Sequence, residues 1–381
     1  MMLKLPPLTL YIHFPWCREK CFYCDFNAHK VKSTIPSKSY LKKLIKDIDY
    51  NKKAIGRRKF SSVFLGGGTP SLFPARTIGV VLEYLEKNDF LERKNLEVTI
   101  EVNPEDVNSN TFFEYKDIGI NRISLGVQSF QDDKLYSLGR NHSKATIVYA
   151  LKCLEKSNFE NINIDLMYGL MRQTVKDALS DIKHALSFNI THISWYELSI
   201  EPLTKFFTNK PLLPEEKILE KIEMEGRCYL RDSNYKRYEI SSYSKNILYR
   251  SQHNLNYWKF GDYIGIGAGS HSKLTNPESH KIVRFWNKKN PYLYLSNQSE
   301  PYGEKTIEKK ELPYEFMLNR LRLIDGFSSD IFQRSTGIPF STIQRKIDEA
   351  IERKFLFKED AYYYTTDLGK RFLNEIVKLF M

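Results

Sequence analysis

Three cysteines carry the sharpest chemistry in this chain. Cys17, Cys21 and Cys24 stand in one short run, Trp16-Cys17-Arg-Glu-Lys-Cys21-Phe-Tyr-Cys24-Asp-Phe-Asn27, as C-x3-C-x2-C. Thiolates this close can converge on one soft metal centre, because a short loop wraps it. A [4Fe–4S] cube held by three thiolates keeps one iron open for an exchangeable ligand. Zinc would need a fourth ligand to close a structural tetrahedron. His29 is the nearby candidate, but C-x3-C-x2-C-x4-H matches none of the usual zinc spacings. Buried, inert thiols are the third reading.

Two other stretches could do chemistry. Val63-Phe-Leu-Gly66-Gly67-Gly68-Thr69-Pro70 runs a strand-like segment into a glycine turn. Such a turn lets backbone approach a ligand closely, and an ordinary tight turn explains it equally well. It has neither the dinucleotide fingerprint nor the phosphate-loop ending. Gln252-His253-Asn254-Leu-Asn-Tyr257-Trp258 places an imidazole beside two large aromatic rings. A neutral imidazole can ligate a metal, and large aromatic rings can stack on a flat partner. His271, in Gly269-Ser-His271, is a rival ligand, and a buried hydrogen-bonding role is the plain alternative for either histidine.

The elements that must hold these groups alternate. Strand-like runs are expected at Leu8 to Phe14, Ser61 to Leu65, Leu96 to Val102, Asn121 to Val127, Asn161 to Met167 and Thr191 to Leu198, with helical stretches between. That pattern argues for βαβ units and a parallel sheet. Ile100 and Val102 alternate with Glu101, Ile164 and Leu166 with Asp165, and Leu125 and Val127 with Gln128. One apolar and one polar face per strand fits an open, partial barrel around a ligand better than a doubly wound sheet, which is apolar on both faces. Chemistry in such barrels sits at the C-terminal strand ends, where the cysteine loop, the glycine turn, Glu101, Gln128 and Asp165 all fall.

Bulk composition narrows the classes. At 381 residues, 41% hydrophobic and 14% aromatic, the chain suggests one large domain and a smaller one. No apolar run is long enough to cross a bilayer and no secretory leader is evident, so a cytoplasmic location is expected. Cys153 and Cys228 fall in helical stretches and are expected to be buried structural thiols. The net charge of +12 invites nucleic acid, but basic and acidic residues interleave, and a solvated lysine-rich surface is the expectation.

Taken together, the cysteine run after a first strand and GGGTP after a second resemble the radical S-adenosylmethionine superfamily. YIHFPWC-x3-CFYCDFN, GGGTPSL, EVNPE, NRISLGVQSF, LGRNH, NIDLMYGL and SWYELSIEP narrow the resemblance to one branch. It holds the oxygen-independent coproporphyrinogen III oxidases and their haem-chaperone relatives of the HemW type. The resemblance implies a partial (β/α)6 barrel in which Cys17, Cys21 and Cys24 ligate a [4Fe–4S] cluster. The open iron would take the amino and carboxylate groups of S-adenosylmethionine. Tyr11 and Tyr23 would flank that cofactor, and Gly67, Gly68 and Thr69 would contact its methionine end. Glu101 would bond the ribose, with Gln128, Arg140 and Asp165 completing the pocket. An Arg140–Asp165 ion pair is the structural alternative for the last two.

Departures from the branch separate its two activities. The oxidases carry a fourth cysteine two places after the third, where this chain has Phe26. The H-N-x-x-Y-W run resembles the haem-binding stretch of the chaperones and implies His253, Tyr257 and Trp258 as haem contacts. Met171 stands where relatives usually have proline, at the cost of a less rigid turn. A haem chaperone is therefore the first expectation: haem as cargo, and haem-accepting proteins, at the membrane surface among other places, as partners. An oxidase-like enzyme that decarboxylates porphyrinogen propionates is the second. A nucleic-acid binder is the third.

The expected organisation is a barrel over residues 1–240, a haem-motif segment and linker over 241–300, and a C-terminal helical, winged-helix-like domain over 301–381. Helical periods at Phe316 to Leu323, Phe340 to Glu352 and Asp367 to Phe380 surround a hairpin between Phe355 and Thr365. Asp348, Glu349, Glu352, Glu359 and Asp360 in that domain would repel phosphate, so no nucleic-acid partner is expected.

Overall fold

Alternation decides the architecture. Each expected barrel run carries β-branched and aliphatic residues on one face, which must be covered by helices, and polar residues on the other. The computed structural model describes residues 3–296 and 301–381. All six expected strands are present: Leu8–Phe14, Phe60–Gly67, Glu97–Val102, Arg122–Gln128, Asn161–Tyr168 and His192–Glu197. They pair in parallel in that order, and the sheet is open rather than closed.

The polar faces do not meet bulk water. Asn163 Nδ2 donates to Ser124 Oγ at 2.8 Å and to Asp165 Oδ1 at 2.8 Å. His192 lies 2.6 Å from Asn163 Oδ1 through Nδ1 and 2.8 Å from the Tyr238 hydroxyl through Nε2. Buried polar groups must find partners, and here they find each other across adjacent strands. The floor of the barrel is thus a filled polar network, and the open space lies above it, at the C-terminal strand ends.

The outer helices present apolar faces to the sheet. Val175–Leu186 buries Ala178, Ile182 and Ala185, of which Ile182 contributes about 1.5–3 kcal/mol. Its first turn is held by a capping box, in which Thr174 Oγ1 accepts from Asp177 N and Asp177 Oδ2 accepts from Thr174 N.

The segment expected over 241–300 does more than link. Asp262–Ile266 joins the sheet as a further parallel strand beside Leu8–Phe14. His271–Asn276, Lys281–Trp286 and Gly303–Thr306 extend it antiparallel beyond that edge. Gly265 lowers the strand signal of the first of these, yet a Cβ there would strike the His271 carbonyl. The glycine permits the close approach that builds the edge. Residues 297–300, at the end of that expected segment, lie outside the described residues.

The C-terminal region has its own core around Phe316, Phe332, Ile347 and Phe380, joined by Leu3, Phe260 and Ile282 from the main body. Leu312–Arg320 and Gln344–Glu352 are helical, and Leu356–Glu359 pairs with Tyr362–Thr365 as the expected hairpin. The last expected helix is two short ones, Asp367–Arg371 and Leu373–Lys378. A further helix, Ser329–Thr336, was hidden by its polar composition. Ser328 Oγ caps its start and Gly337 ends it in the left-handed region.

Candidate functional site

The cysteine loop leaves the end of Leu8–Phe14 and is tied down at several points. Trp16–Cys17 pairs with His29–Lys30, and Phe22 N donates to the Leu138 carbonyl at 3.0 Å. Beneath it the glycine turn fits without room to spare. Gly68 N donates to the Phe14 carbonyl at 2.7 Å, and a Cβ on Gly68 would lie 2.5 Å from the Trp16 carbonyl oxygen. Gly67, at φ +113°, adopts a conformation that side chains disfavour.

All three thiols face one cavity of about 630 Å³. Among the described residues no three His, Cys, Asp or Glu side chains surround a single ion-sized point. Three soft sulfur donors on one cavity match the ligand set of a [4Fe–4S] cluster that keeps one iron open. His29, the candidate fourth zinc ligand, is instead 3.3 Å from Asn27 Oδ1. Burial, with Cys24 and Cys21 alongside, pushes the Cys17 thiol up to about 12. Buried sulfurs of this kind become thiolates when a cationic centre is supplied.

The same cavity is lined by Tyr23, Gly67, Gly68, Thr69, Glu101 and Gln128, and also by Arg140 and Asp165. Arg140 does not pair with Asp165. Its Nη1 donates to Cys21 Sγ at 3.3 Å, and its Nη2 to the Gly126 carbonyl at 2.7 Å and to Asn103 Oδ1 at 3.3 Å. Its Nε is buried without a partner. A guanidinium against a ligand sulfur with one idle donor suits an anionic group bound beside the sulfur.

Glu101 accepts from Gly67 N at 3.0 Å. Burial, and then the neighbouring Asp165, raise its carboxyl from 4.5 to about 8; burial also raises Asp165. Two carboxyls that resist ionisation favour hydroxyl partners over cations of the bulk. Gln128 sits at a strand irregularity with φ +69°, and its Oε1 accepts from the Tyr196 hydroxyl at 2.8 Å. That hydrogen bond helps hold a left-handed backbone costing on the order of 1–3 kcal/mol. Tyr11 lies outside the cavity lining, its hydroxyl 2.9 Å from His13 Nδ1.

The histidine motif forms the helix Gln252–Trp258. Glu97, on the polar face of its strand, accepts from Gln252 N at 2.9 Å and His253 N at 3.0 Å. A carboxylate is favourable at a helix start. His253 is turned inward: Nδ1 is 2.9 Å from Ser62 Oγ, Nε2 is 3.1 Å from the Tyr257 hydroxyl, and its ring stacks on Phe64. Burial lowers its pKa to about 3, with Arg122 adding to the shift, so the imidazole is neutral. Trp258 and Asn254 line the 630 Å³ cavity, while Tyr257 and Trp258 line a second one of about 260 Å³. His271 is exposed and stacks on Trp286. Phe26 is exposed at the mouth of the larger cavity.

One expectation is corrected. Cys153 is buried, but Cys228 is exposed. Glu216–Asp232 buries Ile222, Gly226 and Leu230, and position 228 lies on the opposite side of the helix.

An open parallel barrel with a three-cysteine loop at its C-terminal strand ends is the radical SAM fold. The chain matches the Radical SAM superfamily over residues 11–182 and the HemN C-terminal domain over residues 307–372. The solved coproporphyrinogen III oxidase (HemN) from Escherichia coli shares the fold, with a TM-score of 0.82 over 99% of this chain and 90% of that one at 19% identity. The heme chaperone HemW of Haemophilus influenzae is 43% identical over 385 residues, covering 100% of this chain and 99% of the relative. HemW of Escherichia coli strain K12 is 39% identical over 380 residues, covering 100% of each. The chain belongs to the HemW family, and its radical SAM fold implies a [4Fe–4S] cluster and S-adenosylmethionine.

Sequence reasoning missed Asn103, Tyr196, Glu239 and Arg322 in the cavity. Asn103 lay within a recognised motif and bridges Thr69 to Arg140. Tyr196 also lay within a recognised motif, SWYELSIEP, whereas Glu239 and Arg322 come from distant segments and carried no local signal.

Proposed function

We propose that the chain is a haem chaperone that holds haem and hands it to an acceptor protein. The single observation that carries this reading is the continuity of the large cavity. It extends from Cys17, Cys21 and Cys24 to Asn254 and Trp258 of the histidine motif, so cofactor and cargo share one space. Full-length identity to curated heme chaperones supports the same reading.

In this reading the three cysteines hold the cluster. Tyr23, Gly67, Gly68, Thr69, Glu101, Gln128, Arg140 and Asp165 hold S-adenosylmethionine, with Tyr11 behind them. The cluster with that cofactor supplies one-electron chemistry when bound. Arg140 balances negative charge beside Cys21, and Glu101 receives a sugar hydroxyl. Trp258 offers a flat wall to the macrocycle. His253 ligates iron once the Tyr257 hydroxyl leaves Nε2, and the neutral imidazole is already in the ligating form. Among the described residues no helix is long and apolar enough to cross a membrane. The proposed setting is the cytoplasm, with acceptors that include proteins at the membrane surface and no nucleic acid.

The test is an anaerobic haem titration of the reconstituted protein, with a coproporphyrinogen assay on the same sample. A saturable Soret shift that His253→Ala weakens, with no turnover, is expected. Absence of a shift, or conversion of coproporphyrinogen, would overturn the chaperone reading. A shift unaltered in His253→Ala would remove that ligand.

A further inference from the structure

The end of the large cavity away from the cysteines is closed by a seam between the barrel and the C-terminal domain. Ile240 N donates to the Arg322 carbonyl at 3.1 Å, and Ile324 N to the Tyr238 carbonyl at 3.2 Å. These bonds fix Arg322 over the cavity. Its guanidinium lies over the Trp258 ring, 4.3 Å from the centroid, and its Nη2 donates to Glu239 Oε2 at 3.2 Å. Glu239 is itself buried and lines the same cavity.

This corner holds donors without acceptors. Arg322 Nε and Trp258 Nε1 are both buried and unpartnered. Buried N–H groups left idle are costly, and in native proteins they commonly mark a ligand's place. Positive charge also gathers here. Burial lowers the pKa of Lys259, next to Trp258, and the nearby Arg320 and Arg250 add to the shift while Asp325 opposes it. An anion arriving at the seam would be welcomed on both counts. The guanidinium edge bearing Nε matches a carboxylate in the two-bonded geometry, and Trp258 beneath it matches a flat ring.

We propose that Arg322 receives a carboxylate substituent of the planar cargo, displacing Glu239, while Trp258 lies against the macrocycle. Glu239 is the internal stand-in for that carboxylate and holds the guanidinium in place until cargo enters. The assignment rests on the chaperone reading, and it gives the C-terminal domain a direct part in recognition.

The experiment compares haem with haem dimethyl ester, whose carboxylates are capped, by anaerobic Soret titration of reconstituted wild type, Arg322→Gln and Glu239→Gln. The wild type is expected to prefer haem over the ester by about tenfold or more, as a charged hydrogen-bonded pair would give. Arg322→Gln is expected to bring that ratio close to one, with cluster iron content unchanged. Glu239→Gln retains an acceptor for Ser241 N, which Glu239 Oε1 now binds at 3.0 Å, and is expected to widen the preference by freeing the guanidinium. Should Arg322→Gln not fold, the Glu239→Gln ratio decides alone. A preference unchanged in the variants would overturn the Arg322 assignment and leave the chaperone reading standing. Failure of the wild type to bind either porphyrin would strike the chaperone reading itself.

Discussion

Replacing Glu101 by glutamine should stabilise the cofactor-free chain, and increasingly so as pH rises. The carboxyl is raised from 4.5 to about 8 by burial and then by Asp165, so the folded state keeps a proton that the unfolded chain has lost. Between those values folding stability falls as pH increases, because the native state binds more protons. At about 1.4 kcal/mol per pH unit the full penalty approaches roughly 5 kcal/mol above pH 8. Asp165 shares the burden as a coupled neighbour, so a single substitution should recover about half of it. Urea unfolding of apo wild type and Glu101→Gln under reducing, anaerobic conditions reads this directly. The gap in favour of the variant should widen by roughly 1.5 kcal/mol from pH 5.5 to 8.5. The glutamine keeps an oxygen for Gly67 N, so the hydrogen bond to the glycine turn is retained. Parallel pH profiles, or a variant less stable at pH 8.5, would refute the claim that Glu101 is held protonated by its surroundings.

Further expectations follow from the same geometry. Cys21→Ala should lose the cluster's visible absorbance together with its iron and sulfide after reconstitution; a wild-type protein that proved to carry stoichiometric zinc would defeat the cluster assignment. Gly68→Ala should destabilise the fold by about 2 kcal/mol or more, because its Cβ would lie 2.5 Å from a backbone carbonyl that cannot move aside easily; a melting temperature equal to wild type would contradict that packing. Cys228 should react with a thiol reagent in the folded protein while Cys153 stays protected, and equal labelling rates would contradict their opposite burial.

Much of this molecule could be read along the chain. The cysteine spacing, the glycine turn and the alternation of Glu101, Gln128 and Asp165 with aliphatic neighbours are local patterns. Local patterns report which residues share a face and which loop ends a strand. Hence all six barrel strands and the placement of the cysteine loop, Glu101, Gln128 and Asp165 at the C-terminal strand ends were legible in the sequence. Cys228 departs from its expected burial because Ile222, Gly226 and Leu230 set the buried side of its helix and position 228 lies opposite them.

Other features depend on where distant segments meet. No local rule pairs Asp262–Ile266 with Leu8–Phe14, since a glycine-bearing strand gains its stability from neighbours rather than from propensity. His253 reads from the sequence either as a ligand in a motif or as a buried hydrogen-bonding residue, and only folding places its two ring nitrogens against Ser62 and Tyr257. Arg322 is one arginine among many basic residues until the C-terminal domain carries it onto Trp258. By itself the sequence determined the chemistry available at the cysteine loop and the barrel that supports it, because both follow from spacing and period. Only the tertiary structure decided which donors face the shared cavity and which are spent on internal partners, because burial and partner choice are set by packing across the whole chain.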